Sequence, residues 1–203
     1  VDKLQHVEEK TGKKIYNILQ LRVHQSIIAL REKVKNAKKD TKFEVDLTYL
    51  TSRGHWYHTS WKGDKTKSGG IATNIGVHFY DMLSWIFGDV QENIVHLHED
   101  DRAAGYLEFE NARVRWFLSI SSKYLPQEIR DKGQTTFRSI TIDGEELEFS
   151  GGFKDLHTMV YKDILDGKGY GVDAARTAIQ IVHDIRNSKP VGLKGDYHQF
   201  LKE

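Results

Sequence analysis

The sequence predicts an α+β domain: an open-faced, mainly antiparallel β-sheet with helices packed on one face. Three observations carry this. Segments of alternating or β-branched composition cluster between residues 42 and 150, and segments with apolar residues at offsets of three and four flank that cluster on both sides. Separators such as Glu110-Asn111 and Asp143-Gly144 have the length and composition of hairpin turns.

In order, "VDKLQHVEEK" places Leu4 and Val7 three apart among charges, a surface helix ending near Gly12. "KIYNILQLR", residues 14 to 22, is rich in β-branched and aromatic types and reads as a strand. In "HQSIIALREKVKNAK", Ile27, Leu30 and Val34 mark the inner face of a helix. "KFEVDLTYLTS" sets Phe43, Val45, Leu47 and Tyr49 against Glu44, Asp46 and Thr48, a strand with one wet side. Residues 53 to 70 read as a long loop dense in Trp, Tyr, His, Lys and Gly, of the kind that is usually functional or mobile. A helix over 75 to 87 precedes a run of strands beginning near 93, 103, 112, 137 and 146, read as an antiparallel meander. Two helices close the chain, the second with Ala175, Ala178, Ile179, Val182 and Ile185 on one face.

Composition narrows the function. The 203 residues are 38% hydrophobic, enough for a core, and 30 Lys and Arg against 29 Asp and Glu leave +1. The charges are scattered, which argues against nucleic acid. No apolar run approaches the ~20 residues of a membrane helix, and no secretory signal opens the chain. The absence of cysteine excludes disulfides and thiolate metal sites and fits a cytoplasmic protein. Val at position 1 suggests a piece of a longer chain.

The stretch "GGIATNIGVHFYDMLSWIFG", residues 69 to 88, carries the chemistry. At about 100° per residue, Ile75, Phe79, Met82 and Ile86 share an apolar sector, while Asn74, His78 and Asp81 share a polar one roughly a quarter turn away. An amide, an imidazole and a carboxylate in line near a helix N-terminus suit an anionic or oxyanionic guest. Gly69 and Gly70 permit backbone conformations that a side chain would block, and Gly76 permits a close approach. The plainer reading makes Asn74 a helix cap, His78 a satisfied core histidine and Asp81 a solvated carboxylate. Spacing alone leaves both open.

"SGGIATNIGVHFYDMLSWIFG" resembles the signature of the glucose-fructose oxidoreductase and inositol dehydrogenase family, whose pattern is GG-x(3)-D-x-G-x-H-x-x-D followed by an apolar helix ending in Gly. "LQLRVHQSIIALREKV" and the closing "DLHTMVYKDILDGKGYGVDAARTAIQIVHDIRNSKPVGL" resemble further family segments, so that the resemblance spans essentially the whole chain. "DLTYLTSRGHWYHTSWKGD" and "RSITIDGEELEFS" are similar to the branch that oxidises a UDP-linked N-acetylglucosaminuronate at C3, an activity of surface polysaccharide biosynthesis.

The resemblance implies a two-domain dehydrogenase. Residues 1–21 would be a remnant helix and strand of a nucleotide-binding domain, and residues 22–203 a substrate-binding and oligomerisation domain. NAD(H) would be bound mainly by the other domain: neither Gly69-Gly70 nor "GKGYG" at 167 to 171 follows a strand as a dinucleotide loop requires, and the family's Glu-Lys-Pro lysine is absent. The fragment alone would be inactive. The partners implied are a nucleotide-sugar substrate and a second copy of the chain, which would pair through the open sheet face, with no nucleic acid and no membrane. A non-catalytic sugar-binding or oligomerisation module is the competing reading.

By the same resemblance His78 is the acid/base group, since imidazole titrates near working pH almost unmodified. Asn74 stands where most members have Asp, which fits a positioning hydrogen bond, and Asp81 would orient the imidazole or bond structurally. For Arg22 and His24 the choice is a forked contact with a carboxylate or phosphate against pairing with a local acid. Lys62 with Trp56, Tyr57 and Trp61 forms a nucleotide-sugar clamp or an aromatic loop packed on itself. Gly70 would lie against substrate. His96, His98, His55 and His58 lack a third ligand at a diagnostic spacing, so no metal site is expected.

Overall fold

The alternating segments do assemble into one sheet. A computed structural model, describing residues 1–147, 149 and 151–202, gives its strand order as β2-β3-β4-β1-β5-β6. Along the chain the elements are α1 Asp2–Thr11, α2 Gln25–Lys35, β1 Phe43–Thr51, and the short helices α3 His55–Thr59 and α4 Lys65–Ser68. A π-turn, Ala72–Gly76, runs into α5 Val77–Phe87. Then come β2 Val90–His98, β3 Arg102–Phe109, β4 Ala112–Ser119, α6 Gln127–Asp131, β5 Thr136–Ile142, β6 Glu145–Glu146, α7 Leu156–Leu165 and α8 Arg176–Asn187. No helix among the described residues is long and apolar enough to cross a membrane.

Strands β2, β3 and β4 form a meander, with Phe109 opposite Ala112 across the Glu110-Asn111 turn. The single meander expected from the sequence is corrected at β1. It sits in the middle of the sheet, parallel to β4 with Leu47 opposite Trp116, and antiparallel to β5 with Leu47 opposite Ile140. A parallel pair needs a long crossover, which the helices and strands between β1 and β4 supply. Local alternation does not encode that choice of neighbour.

Helices α2, α5 and α8 cover one face, α5 lying between the other two. Ile27, Leu30 and Val34 of α2 and Ile75, Phe79, Met82 and Ile86 meet Val45, Leu47, Val114, Trp116 and Ile140 in one core. The expected face of α8 holds at Ala175, Ala178, Val182 and Ile185 and exchanges Ile179 for Ile181. Ala178, Ile181, Val182 and Ile185 are buried, whereas Ile179 is 47% exposed. A 3-10 turn at Val172–Ala175 precedes the helix, so its phase is set by its start and not by the longer pattern.

The opposite face is only half open. Leu50, Ala104, Phe117 and Leu125 form a second small core there, with Phe200 and Leu201 packed against it. The C-terminal segment crosses this face: Val191 N–H donates to Val95 at 2.9 Å, Asp196 pairs with Arg115, and fully buried His198 bonds Thr48 at 2.9 Å and stacks on Phe117. Beyond this strap the face is a charged ladder.

Three local expectations change. Residues 14 to 22 do not form a strand, because only Asn17 finds a partner, in a single bridge to Tyr170, and Gln20–Val23 wind into a 3-10 turn. The stretch 53 to 70 is not a structureless loop but contains α3 and α4. Of the segment 146 to 150, the strand itself reaches only Glu146 and one more bond, from the Leu147 N–H to the Ile140 carbonyl at 2.7 Å, continues the pairing; positions 148 and 150 lie outside the described residues.

Candidate functional site

Asn74 lies inside the π-turn, and π-turns within helices recur at functional sites because the widened turn re-aims one side chain. Gly70, buried at φ +79°, starts it; its carbonyl accepts from the Thr73 and Asn74 N–H groups at 3.2 and 2.9 Å. At Gly76 the neighbour that comes close is the Tyr80 ring, which would lie 2.6 Å from an added Cβ. The glycine thus serves packing within the helix.

The polar row divides at its middle member. Asn74 and His78 line a hollow of about 260 Å³ with Tyr49, Arg53, Arg138 and His157. Its other walls are Gln20, Leu21, Ile75, Phe79, Phe153 and Leu156. His78 also borders a second crevice, between the 17–21 segment, α5 and α8, where Asp81 lies. The imidazole therefore stands on a ridge between two hollows.

The Gln20 side-chain amide lies 3.4 Å from Nδ1 of His78, leaving Nε2 for another partner. His78 keeps surface open to solvent, yet its walls crowd the ring. That desolvation pushes its pKa below the ordinary value of 6.5, the Asp81 carboxylate pulls it up, and His157 pulls it down. At neutral pH the free imidazole, able to accept a proton, predominates.

Arg22 and Asp81 find each other. Arg22 Nη2 and Nε donate to the two Asp81 oxygens at 2.6 and 3.0 Å, Nη2 also reaches the Ala174 carbonyl at 2.9 Å, and the Tyr170 ring lies 4.6 Å away. Burial raises the Asp81 carboxyl pKa while the Arg22 fork and His78 lower it. This is the local-acid alternative for Arg22: its fork ties the 3-10 turn to α5. His24 likewise turns inward, its Nε2 2.8 Å from the Gly151 carbonyl and its ring against Phe149 and Phe153. Neither lines the hollow.

Lys62 stands about equally far from Trp56 and Trp61, at 5.9 and 6.0 Å, and both rings are more than half exposed. This cluster lies outside the hollow walls, but Asn74 Nδ2 donates to the Lys62 carbonyl at 3.4 Å, so the segment and the site are joined. No group of three metal-ligating side chains occurs among the described residues. His96 is buried and bonds the Lys194 carbonyl at 3.0 Å.

Sequence reasoning missed Gln20, Tyr49, Arg53, Arg138 and His157. Two signals were available. Arg138 is in phase with buried Ile140 and Ile142, so a charge occupies the core-facing register of β5. Arg53 lies two residues past the end of β1, in a loop leaving the sheet, where ligand residues are often found.

The fold is an open sheet backed by helices on one face, with an imidazole and an amide on the wall of a hollow at one end of the central helix. Residues 38–130 match the family model described as the oxidoreductase family, C-terminal alpha/beta domain. Among solved structures it is similar to the WlbA (WbpB) dehydrogenase from Thermus thermophilus in complex with NAD and UDP-GlcNAcA, at 47% identity over 98% of this chain and a TM-score of 0.92. It is also similar to the Thermus thermophilus enzyme in complex with NAD and alpha-ketoglutarate, at 48% identity over 95% of the chain and a TM-score of 0.90. The chain spans 64% and 62% of those two proteins. WlbA from Bordetella pertussis, at 17% identity over 93% of this chain and 66% of its own, shares the fold with a TM-score of 0.66.

Proposed function

We propose that this chain is the substrate-binding part of an NAD-dependent dehydrogenase that oxidises the C3 hydroxyl of a UDP-N-acetylglucosaminuronate-type sugar. The observation that carries this is the shared wall of Asn74 and His78 in the hollow, on the motif of a family whose similar members are complexed with NAD and UDP-GlcNAcA. Its setting would be surface polysaccharide biosynthesis in the cytoplasm. Homo-oligomerisation through the uncovered part of the sheet face belongs to the same proposal.

Oxidising a secondary alcohol removes a hydride from carbon and a proton from oxygen, giving a ketone. His78 takes the proton: its depressed pKa keeps it free at neutral pH, and its ring borders the hollow. Nε2 is the nitrogen for the substrate hydroxyl in the tautomer that carries its proton on Nδ1, with the Gln20 side-chain amide turned so that its oxygen accepts from Nδ1–H. Asn74, which does not titrate in this range, positions the sugar by hydrogen bonding. Asp81, held by Arg22, is an electrostatic support that favours the protonated imidazole once formed. Lys62, Trp61 and Gly70 are assigned to the nucleotide side of the same substrate. Arg22 and His24 hold the site in place.

NAD, when bound, supplies the acceptor for the hydride. The described residues do not fit its pyrophosphate: Gly69 and Gly70 lie between α4 and the π-turn, and Gly167 to Gly171 lie between α7 and a 3-10 turn, so no strand-to-helix glycine loop is present.

Calorimetric titration with UDP-N-acetylglucosaminuronate tests the reading. Saturable binding, weakened by Asn74→Ala, is expected; absence of binding to any nucleotide sugar contradicts it. A chain that forms a stable oligomer in light scattering without nucleotide-sugar affinity would favour the non-catalytic module.

A further inference from the structure

The twelve residues that line the hollow include two arginines and two histidines but no aspartate or glutamate. Arg53 and Arg138 make no ion pair among the described residues, although most other arginines of the chain are bound to carboxylates. Arg53 Nε is buried without a hydrogen-bond partner, an arrangement that costs stability unless something meets it. The Arg138 guanidinium lies 4.4 Å from the Phe153 ring centre and 5.4 Å from that of Tyr49, ring contacts that hold its planar fork beside the hollow and take up none of its hydrogen-bond donors. Leu156 and His157 bring the first turn of α7, with its unpaired N–H groups, to the same wall.

We infer that Arg53 and Arg138 form a carboxylate subsite that selects a uronate over a neutral sugar at this site. The inference rests on the nucleotide-sugar reading above and deepens it by assigning the specificity to two residues. A planar fork matches a carboxylate through two parallel N–H···O bonds, which a hydroxymethyl group at the same carbon cannot accept with equal strength. The diphosphate is the other anion of such a substrate. The arginines share their wall with His78, where the reacting ring must lie, whereas Lys62 and the exposed Trp56 and Trp61 stand outside the hollow on the α3–α4 side. The carboxylate, attached to the ring itself, is the group that can reach both arginines while C3 faces His78.

The test is calorimetric titration of the chain with UDP-N-acetylglucosaminuronate and with UDP-N-acetylglucosamine, which differ only in carboxylate against hydroxymethyl. The wild type should prefer the uronate by at least about tenfold. Arg138→Gln and Arg53→Gln should each remove most of that preference while leaving the affinity for UDP-N-acetylglucosamine within about twofold, and Arg138→Lys should retain part of it. Arg138 is exposed, so its variants decide the matter even if Arg53→Gln fails to fold. Equal losses for both sugars would assign the arginines to the diphosphate and overturn the subsite, as would variants that keep the wild-type preference. A wild type that binds both sugars equally overturns the subsite but leaves the functional reading standing; one that binds neither overturns both.

Discussion

Two pairs of arginines on opposite sides of one sheet meet opposite surroundings. On the charged ladder, Arg115 donates to Asp46 at 2.7 and 3.1 Å, to Glu44 at 3.2 Å and to Asp196 at 3.1 Å, and Arg113 pairs with Glu44 at 3.0 Å. Across the sheet, Arg53 and Arg138 border a hollow whose lining contains no aspartate or glutamate, and neither makes an ion pair among the described residues. The same side chain thus serves two ends. Where carboxylates of the chain complete it, it fastens strands and the C-terminal strap; where they are withheld beside an imidazole, it is left for a ligand. Substitutions on the first side should move stability, and those on the second should move binding and turnover.

The largest effect is expected at the ridge between the two crevices. His78→Ala should lower turnover of the dehydrogenase by about 10²–10⁴-fold, with nucleotide-sugar affinity changed far less. Steady-state kinetics beside calorimetry would separate the two, and wild-type turnover would remove His78 from the mechanism. Because its pKa is depressed, the acid limb of activity should lie below pH 6.5.

Next in size is the strap. His198 is fully buried and its pKa is lowered to about 4 from 6.5, chiefly by desolvation, with Asp46 pulling it up and Arg115 pushing it down. A depressed imidazole favours the neutral folded form above pH 6.5, so the penalty appears as pH falls from 6.5 towards 4. On the order of 3 kcal/mol of stability should be lost across that window, read from urea midpoints. His198→Phe should flatten the dependence.

Smaller still is the ladder itself. Arg115→Ala should cost about 1–2 kcal/mol, since it strands Asp46 and Asp196 and leaves Glu44 with Arg113 alone, all three retaining some access to water. Uronate affinity should not change. Arg113→Ala, whose ion pair with Glu44 is nearly half exposed at both ends, should leave the unfolding midpoint within error. If either ladder variant weakened uronate binding as much as Arg138→Gln, the contrast between the two sides would fail.

How far the sequence disclosed this arrangement depended on the range of the interaction. Periodicity found α2, β1 and the apolar side of α5, because a buried face is written in neighbouring residues. It could not place β1 between β4 and β5, a decision made by contacts far apart in sequence. The segment 14 to 22 has strand composition, but no neighbour to pair with beyond Tyr170, and the Arg22–Asp81 fork turns it elsewhere.

In the site, Asn74 and His78 were legible from motif and spacing. Asp81 was assigned to the same row, yet it lies in the neighbouring crevice, bound to Arg22. An ideal 3.6-residue projection cannot register the π-turn at Ala72–Gly76. Arg53, just past β1, and Arg138, on β5, are 85 positions apart and meet at the hollow only once those strands pair.

The most direct measurement is the NMR titration of the His78 ring, with and without UDP-N-acetylglucosaminuronate. The account predicts a midpoint below 6.5 in the free chain and a displacement of both resonance and midpoint when the sugar occupies the hollow. A ring that titrates at 6.5 or above and does not respond to saturating sugar would contradict it.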